Sequence, residues 1–291
     1  ALKEKPFSLT PNPRFLFLSK THNEVYAHLI YGIESRAGFV EVTGEVGTGK
    51  TTILRTLLSH LDDKKYRVAF IFNPKLTAFE LLRNINREFG VDDDGASNPD
   101  LIHALNAFLL AENKAGRTPI LVIDEASLLR LEVFAELHTL TQFEKDSKPI
   151  LPIVLAGQSN LVDNLKYRSS LPLASRIVGR SHLEGVTREQ MEQYLKHHLA
   201  IAGGTNNIFD EPAVTAIHKG SGGLFRKSNH LARGAIIVAA QQTSLTINAD
   251  HVRPAAPDIL YLIQLRRYSM NSNAAGLQYE RKKERLNILH E

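Results

Sequence analysis

The segment Gly44-Glu45-Val46-Gly47-Thr48-Gly49-Lys50-Thr51 constrains this chain more than any other, because it fits the spacing G-x-x-x-x-G-K-[ST] at a strand-to-helix junction. Before it, residues 38–43 (GFVEVT) form a short β-rich run; after it, Ile53, Leu54, Leu57, Leu58 and Leu61 recur at helical spacing. Gly44, Gly47 and Gly49 allow a tight turn whose backbone N–H groups face inward, and the helix that follows adds partial positive charge at its N-terminus. A loop of this kind cradles phosphate. Lys50 is expected to reach the β- and γ-phosphates of a nucleotide and the Thr51 hydroxyl to ligate Mg²⁺, which with Thr52 makes residues 44–52 the expected nucleotide-binding set.

The 291 residues, 43% hydrophobic and 23% charged, suffice for one large domain and a small one. No apolar run approaches the ~20 residues of a membrane-spanning helix, and the opening ALKEKPFS lacks the apolar stretch of a signal peptide. The expectation is a soluble cytoplasmic protein without a membrane span. The absence of cysteine excludes disulfides, thiolate metal sites and cysteine nucleophiles. Net charge is +4, and it is unevenly spread: from 264 onward Arg266, Arg267, Arg281, Lys282, Lys283 and Arg285 face only Glu280, Glu284 and Glu291. Such a tail suits nucleic acid, an acidic protein or lipid headgroups, although a solvated charged helix has the same composition.

Along the chain, residues 6–18 carry three prolines among aromatic and leucine residues, which predicts an extended strap packed on the nucleotide domain. Strands are expected at 66–72, 119–123 and 150–156, the last with Pro152 as a sign of an edge or a bulge. Helices are expected after Thr77, from Asn98-Pro99 to Gly116, and over 132–143, with an acidic turn at 91–95. This alternation predicts an α/β fold with a parallel sheet covered by helices on both faces. From Gly185 only helical patterns remain, opened by a Thr187/Gln190 capping box and then by Asp210, Phe225 and Asn248. The expected organisation is a strap (1–20), a nucleotide-binding α/β domain (21–184), a small all-helical lid (185–256) and a basic tail (257–291).

Hydrolysis needs a placed metal and an oriented water as well as a phosphate cradle. Residues 120–125 (ILVIDE) suit both tasks: a buried strand ending in Asp124 places one carboxylate in the Mg²⁺ shell, and Glu125 can accept a hydrogen bond from the attacking water. Two acids that merely begin a loop would look the same. Other chemistry is poorly supported, since His197 and His198 point about 100° apart on a helix and neither H-E-x-x-H nor the guanine-reading N-K-x-D occurs.

Taken together, GEVGTGKT, LVIDEAS, IVLAGQSNL, LASRI and GSGGLFRKSN resemble the AAA+ ATPases of the ExeA/GspA type, relatives of the MuB- and TnsC-like transposition ATPases, over about residues 6–253. The resemblance implies a P-loop NTPase of AAA+ type that uses ATP and Mg²⁺. It further implies that Gln158 senses the γ-phosphate or the lytic water, and that Arg176 is an arginine finger entering a neighbouring subunit's site. Arg226 then matches the second sensor, although Phe225 stands where the family often has proline. Two processes fit this engine. One is a transposition or DNA-targeting regulator that assembles with itself as a ring or filament on double-stranded DNA and recruits a transposase, with Lys75, Arg83 and Arg87 as phosphate contacts. The alternative is a secretion or pilus-assembly ATPase acting on protein partners. The basic tail and the lack of a membrane segment or cell-wall-binding extension favour the first.

Overall fold

The computed structural model describes residues 2–10, 12–72, 74–92, 97–145, 148–204 and 207–255. The basic tail beyond 256 and most of the acidic turn lie outside these residues. Elements run in the order α1 (Lys20–Glu34), β1 (Phe39–Gly44), α2 (Lys50–His60), β2 (Tyr66–Phe72), α3 (Ala78–Phe89), α4 (Asn98–Lys114), β3 (Thr118–Asp124) and α5 (Leu131–Leu140). A small ribbon follows, β4 (Glu144–Lys145) with β5 (Lys148–Pro149), then β6 (Ile153–Gly157), α6 (Asn160–Lys166), α7 (Leu171–Ala174) and β7 (Ile177–Leu183). The described residues end in helices: α8 (Arg188–Ile201), α9 (Glu211–Ser221), α10 (Phe225–Gln241) and α11 (Ala249–Val252).

Five strands form one parallel sheet in the order β2-β3-β6-β1-β7. Side chains of a strand alternate between faces, and here both faces are covered, so the strands read as nearly continuous apolar runs. Phe39, Leu121, Ile123, Ile153 and Leu155 pack on one side with α3–α7. Val40, Val42, Ile120, Val122, Val154 and Ala156 pack on the other with α1 and α2. Asp124 continues the parity of Ile120 and Val122, so its carboxylate emerges on the α2 side of the sheet. This places it beside the phosphate loop.

Most of the expected elements form, with caps as the sequence signals them. Thr77 and Thr187 close complete capping boxes with Glu80 and Gln190, and Asp210 accepts from Ala213 N–H. Pro152 is where the reading needs correction. It precedes β6, which is a central strand paired with both β1 and β3, so no edge or bulge is required to accommodate it. The edges are β2 and β7, and β7 has no clear sequence signal because its buried and exposed positions carry weak apolar contrast.

The strap also departs from expectation. Phe7 is 3% exposed and belongs to the core of the helical bundle, with Met191, Tyr194, Leu195, Phe209 and Leu231. Burying one phenylalanine is worth about 1.5–3 kcal/mol. The Pro6 carbonyl accepts from His198 Nδ1 at 2.7 Å, the Ser8 carbonyl accepts from Asn229 Nδ2 at 2.8 Å, and Lys3 N–H donates to the Ala202 carbonyl. Both faces of the α/β sheet are already occupied by its own helices, whereas the bundle leaves an aromatic face open. The strap fills that face.

His198 is the titratable group at this seam. Burial holds its pKa down to about 4, opposed by the Pro6 carbonyl. Between pH 6.5 and 4 the unfolded chain therefore takes up a proton that the folded chain refuses. Stability is full above pH 6.5 and falls by about 3 kcal/mol towards pH 4. Urea unfolding across this window should show that slope in the native protein and a flatter one in His198→Leu; equal slopes would refute the assignment.

Candidate functional site

The loop between β1 and α2 is closed by its own side chains. Gly47 and Gly49 have φ of 94° and 103°, in the left-handed region that side chains avoid, and Gly49 is the residue from which α2 starts. The Thr48 hydroxyl donates to the Glu45 carbonyl at 2.9 Å. Lys50 curls back to donate to the carbonyls of Gly44 at 2.6 Å and Glu45 at 2.9 Å. Its ammonium is buried, which lowers its pKa, while Glu125, Asp124 and Glu45 act to raise it and Arg226 to lower it.

Beside it, the Thr51 hydroxyl donates to Asp124 Oδ2 at 2.6 Å, and Glu125 N–H donates to Asp124 Oδ1 at 2.9 Å. Burial raises the Asp124 pKa, opposed by these two hydrogen bonds. Glu125 sits at φ 57° and ψ 33°, a left-handed conformation in a non-glycine residue. Such a conformation costs about 1–3 kcal/mol and persists where the surroundings enforce it. Here it turns Glu125 out of the β3 line and onto the wall of the cleft. A hydroxyl and a carboxylate side by side are the oxygen donors that a hard cation such as Mg²⁺ takes through one or two protein groups. Among the described residues no group of three or more His, Asp or Glu is arranged for a metal.

The cleft encloses a cavity of about 130 Å³ behind an open mouth. Three layers wall it. The loop and β3 contribute Val46, Gly47, Gly49, Lys50, Thr51, Thr52 and Glu125; the bundle contributes Tyr194, Phe225, Arg226 and Asn229; the strap contributes residues from Pro6 to Phe17. Phe17 meets Tyr194 and Phe225 edge-on at centroid separations of 5.7 and 6.2 Å, and Tyr194 stacks on Phe225 at 4.3 Å. One end of the cleft is therefore polar and cationic and the other aromatic.

The sequence-derived candidates divide into three groups. Lys50, Thr51, Asp124 and Glu125 converge as expected, and Gly44, Glu45 and Thr48 shape the loop. Arg226 joins them: its N–H donates to the Gly47 carbonyl at 3.3 Å, and it lines the cleft despite Phe225 replacing the proline of the resemblance. Gln158 follows β6, and its N–H donates to the Ser127 hydroxyl, so it sits at the strand end between β1 and β3. Arg176 is elsewhere. Its guanidinium donates to the Thr141 carbonyl and hydroxyl at 3.2 Å, at the end of α5, and it does not line this chain's cleft. Lys75 and Arg87 are exposed, and the Arg83 guanidinium lies 6.0 Å from the Phe79 ring, all away from the cleft. The strap aromatics and His22 also line the cleft but carry no local motif; their proximity to the loop is purely tertiary.

Residues 33–165 match the family described as an AAA domain. General secretion pathway protein A of Aeromonas hydrophila is 38% identical over 259 residues, which cover 89% of this chain and 47% of that protein. The chain thus spans about half the length of this curated relative. Among solved structures, Cdc6p from Pyrobaculum aerophilum superposes with a TM-score of 0.65 at 17% identity, covering 84% of this chain and 70% of the other. The Aeropyrum pernix ORC1 protein in complex with DNA gives 0.62 at 19% identity, covering 96% and 81%. A Walker-type ATPase of Pyrococcus abyssi gives 0.63 at 17% identity, covering 92% and 80%.

The contact between bundle and loop yields a direct test. A Cβ on Gly47 would stand 2.7 Å from Arg226 Cβ, at a φ hostile to side chains. Gly47→Ala should therefore lift the start of α10 off the loop and weaken nucleotide binding by ~10-fold or more, about 1.4 kcal/mol. Titration with a fluorescent ATP analogue checks this, and wild-type affinity would exclude the contact from the site. From the sheet order, the phosphate loop and these structural matches, the chain has the AAA+ P-loop fold, a parallel α/β layer followed by a helical bundle.

Proposed function

We propose that this chain binds and hydrolyses ATP with Mg²⁺ in the cleft between loop and bundle, as an ATPase of the general secretion pathway protein A type. The observation that carries the reading is the convergence of Lys50, Thr51, Asp124 and Glu125 beneath Arg226. Phosphates would enter at the polar end. There the Lys50 ammonium would exchange its two carbonyl partners for phosphate oxygens, and Arg226 would approach from the bundle. The aromatic end, closed by Phe17, Tyr194 and the strap, suits a purine base.

Thr51 and Asp124 would hold Mg²⁺, which supplies charge neutralisation on the phosphates when bound. Glu125, held on the cleft wall by its left-handed backbone, would accept a hydrogen bond from the attacking water and orient it. Gln158 would complete the γ-phosphate end. Arg176 would act in a neighbouring subunit, which requires it to exchange its bonds to Thr141 for the partner's nucleotide.

The curated relative shifts the balance between the two processes. A secretion protein at 38% identity supports work on protein partners, and the preference for transposition drawn from the sequence is given up. The proteins named with DNA are similar at under 20% identity, which speaks for fold alone. Nor is α3 a basic stripe: Arg83 and Arg87 share it with the exposed Glu80 and Glu88. This chain spans only part of the relative, so a missing membrane segment does not separate the two processes; among the described residues no helix is long and apolar enough to cross a membrane.

Lys50→Ala should abolish ATP binding, and Glu125→Gln should bind ATP while losing about 10²-fold or more in turnover. Nucleotide titration and phosphate release measure the two; ATP affinity unchanged in the first, or turnover unchanged in the second, would remove the reading. Arg176→Ala should lose hydrolysis that wild-type subunits restore in mixed assemblies, and failure of mixing to restore it would remove the role in trans.

A further inference from the structure

His22 is 2% exposed and lies at the meeting point of α1, the phosphate loop and the bundle. Its Nε2 is 2.8 Å from the Thr48 carbonyl and its Nδ1 2.6 Å from the Ser19 hydroxyl, the cap of α1. A carbonyl can only accept, so Nε2 carries the proton and Nδ1 accepts from Ser19. Burial lowers the pKa of the ring, so it is neutral and has a single N–H to give. The Thr48 carbonyl fixes the tautomer, Ser19 supports it by donating to Nδ1, and the one ring donor is committed to the loop. The other side of the ring faces Phe225, with centroids 5.3 Å apart, and a Cβ on Gly49 would come within 3.2 Å of Nε2.

We propose that His22 is a positioning residue that holds the phosphate loop in its phosphate-receiving shape. In a trans peptide the C=O and the N–H point in opposite directions. Tethering the Thr48 carbonyl to a buried ring on α1 therefore aims the Gly49 N–H away from α1, towards the interior of the loop. The loop's glycines leave its peptides free to flip, and among the described residues no other hydrogen bond engages the Thr48 carbonyl. Through Phe225, the residue before Arg226, the same ring sets the height of the bundle over the loop. One imidazole thus ties the direction of a loop N–H to the position of the second cationic group in the cleft.

This inference rests on the phosphate-loop reading, and the test separates the two. ATP affinity, KM and kcat are measured for wild type, His22→Phe, His22→Gln and Lys50→Ala, alongside nucleotide-free melting. His22→Phe keeps a ring against Phe225 but has no donor, and should weaken ATP binding by ~10-fold, the order expected for one hydrogen bond lost at a buried carbonyl. That loss should appear in KM more than in kcat. His22→Gln returns an amide N–H near the Nε2 position and should recover affinity to within ~3-fold of wild type. Ser19→Ala removes the hydroxyl that supports this tautomer without touching the ring, and should fall between wild type and His22→Phe; it carries the test if the phenylalanine variant does not fold. Wild-type affinity in His22→Phe and Ser19→Ala, or a glutamine variant no better than phenylalanine, would overturn the role while leaving the loop reading intact. Wild-type affinity in Lys50→Ala would overturn the reading beneath it.

Discussion

The buried ammonium of Lys50 organises what surrounds it. Removing such a charge from water costs several kcal/mol unless hydrogen bonds and opposite charge replace the lost hydration. The replacement comes from the Gly44 and Glu45 carbonyls at 2.6 and 2.9 Å and from three carboxylates, Glu125, Asp124 and Glu45. Each of these is placed by a different element. The loop carbonyls point inward because glycine permits the turn, Asp124 arrives by the parity of β3, and Glu125 arrives by a left-handed turn at the strand's end. Arg226 adds a second positive charge from the bundle, which raises the potential of the cleft for phosphate while working against the ammonium.

The division of labour between layers follows from this. The α/β layer, packed on both faces, is a rigid base for the phosphate end of the cleft. The bundle meets it at the loop through specific contacts: Arg226 N–H on the Gly47 carbonyl and the ring of Phe225 against His22. The strap joins the bundle's core through Phe7 and at the same time walls the aromatic end. A ligand that fills the cleft therefore touches all three, and its phosphate and base ends report on different parts of the fold.

Much of this was legible in the sequence where the cause is local. The loop, its flanking strand and helix, the acids ending β3 and the caps of α3, α8 and α9 depend on residues a few positions apart, and they stand where the spacing puts them. The failures are non-local. The sequence reading leaves out α1 although Ser19 caps it, and β7 alternates too weakly to be recognised. Pro152 suggested an edge because its position relative to β6 depends on pairing with β1 and β3, which no local pattern records. The weight between the two processes, too, comes from comparison along the chain, which favours the secretion alternative that the motif resemblance already offered.

The sequence by itself determined the chemistry available: a phosphate loop with its lysine and hydroxyl, two carboxylates at the end of one buried strand, and a helical segment carrying an arginine. Tertiary structure decided which of these groups meet. It brought Arg226 onto Gly47, kept Arg176 at the end of α5 away from this chain's cleft, moved the strap onto the bundle, and set His22 against a carbonyl 26 positions along the chain. The reason is physical. Local spacing fixes the direction of a side chain relative to its own helix or strand, whereas convergence between elements depends on how their apolar faces pack, and that is a property of the whole core.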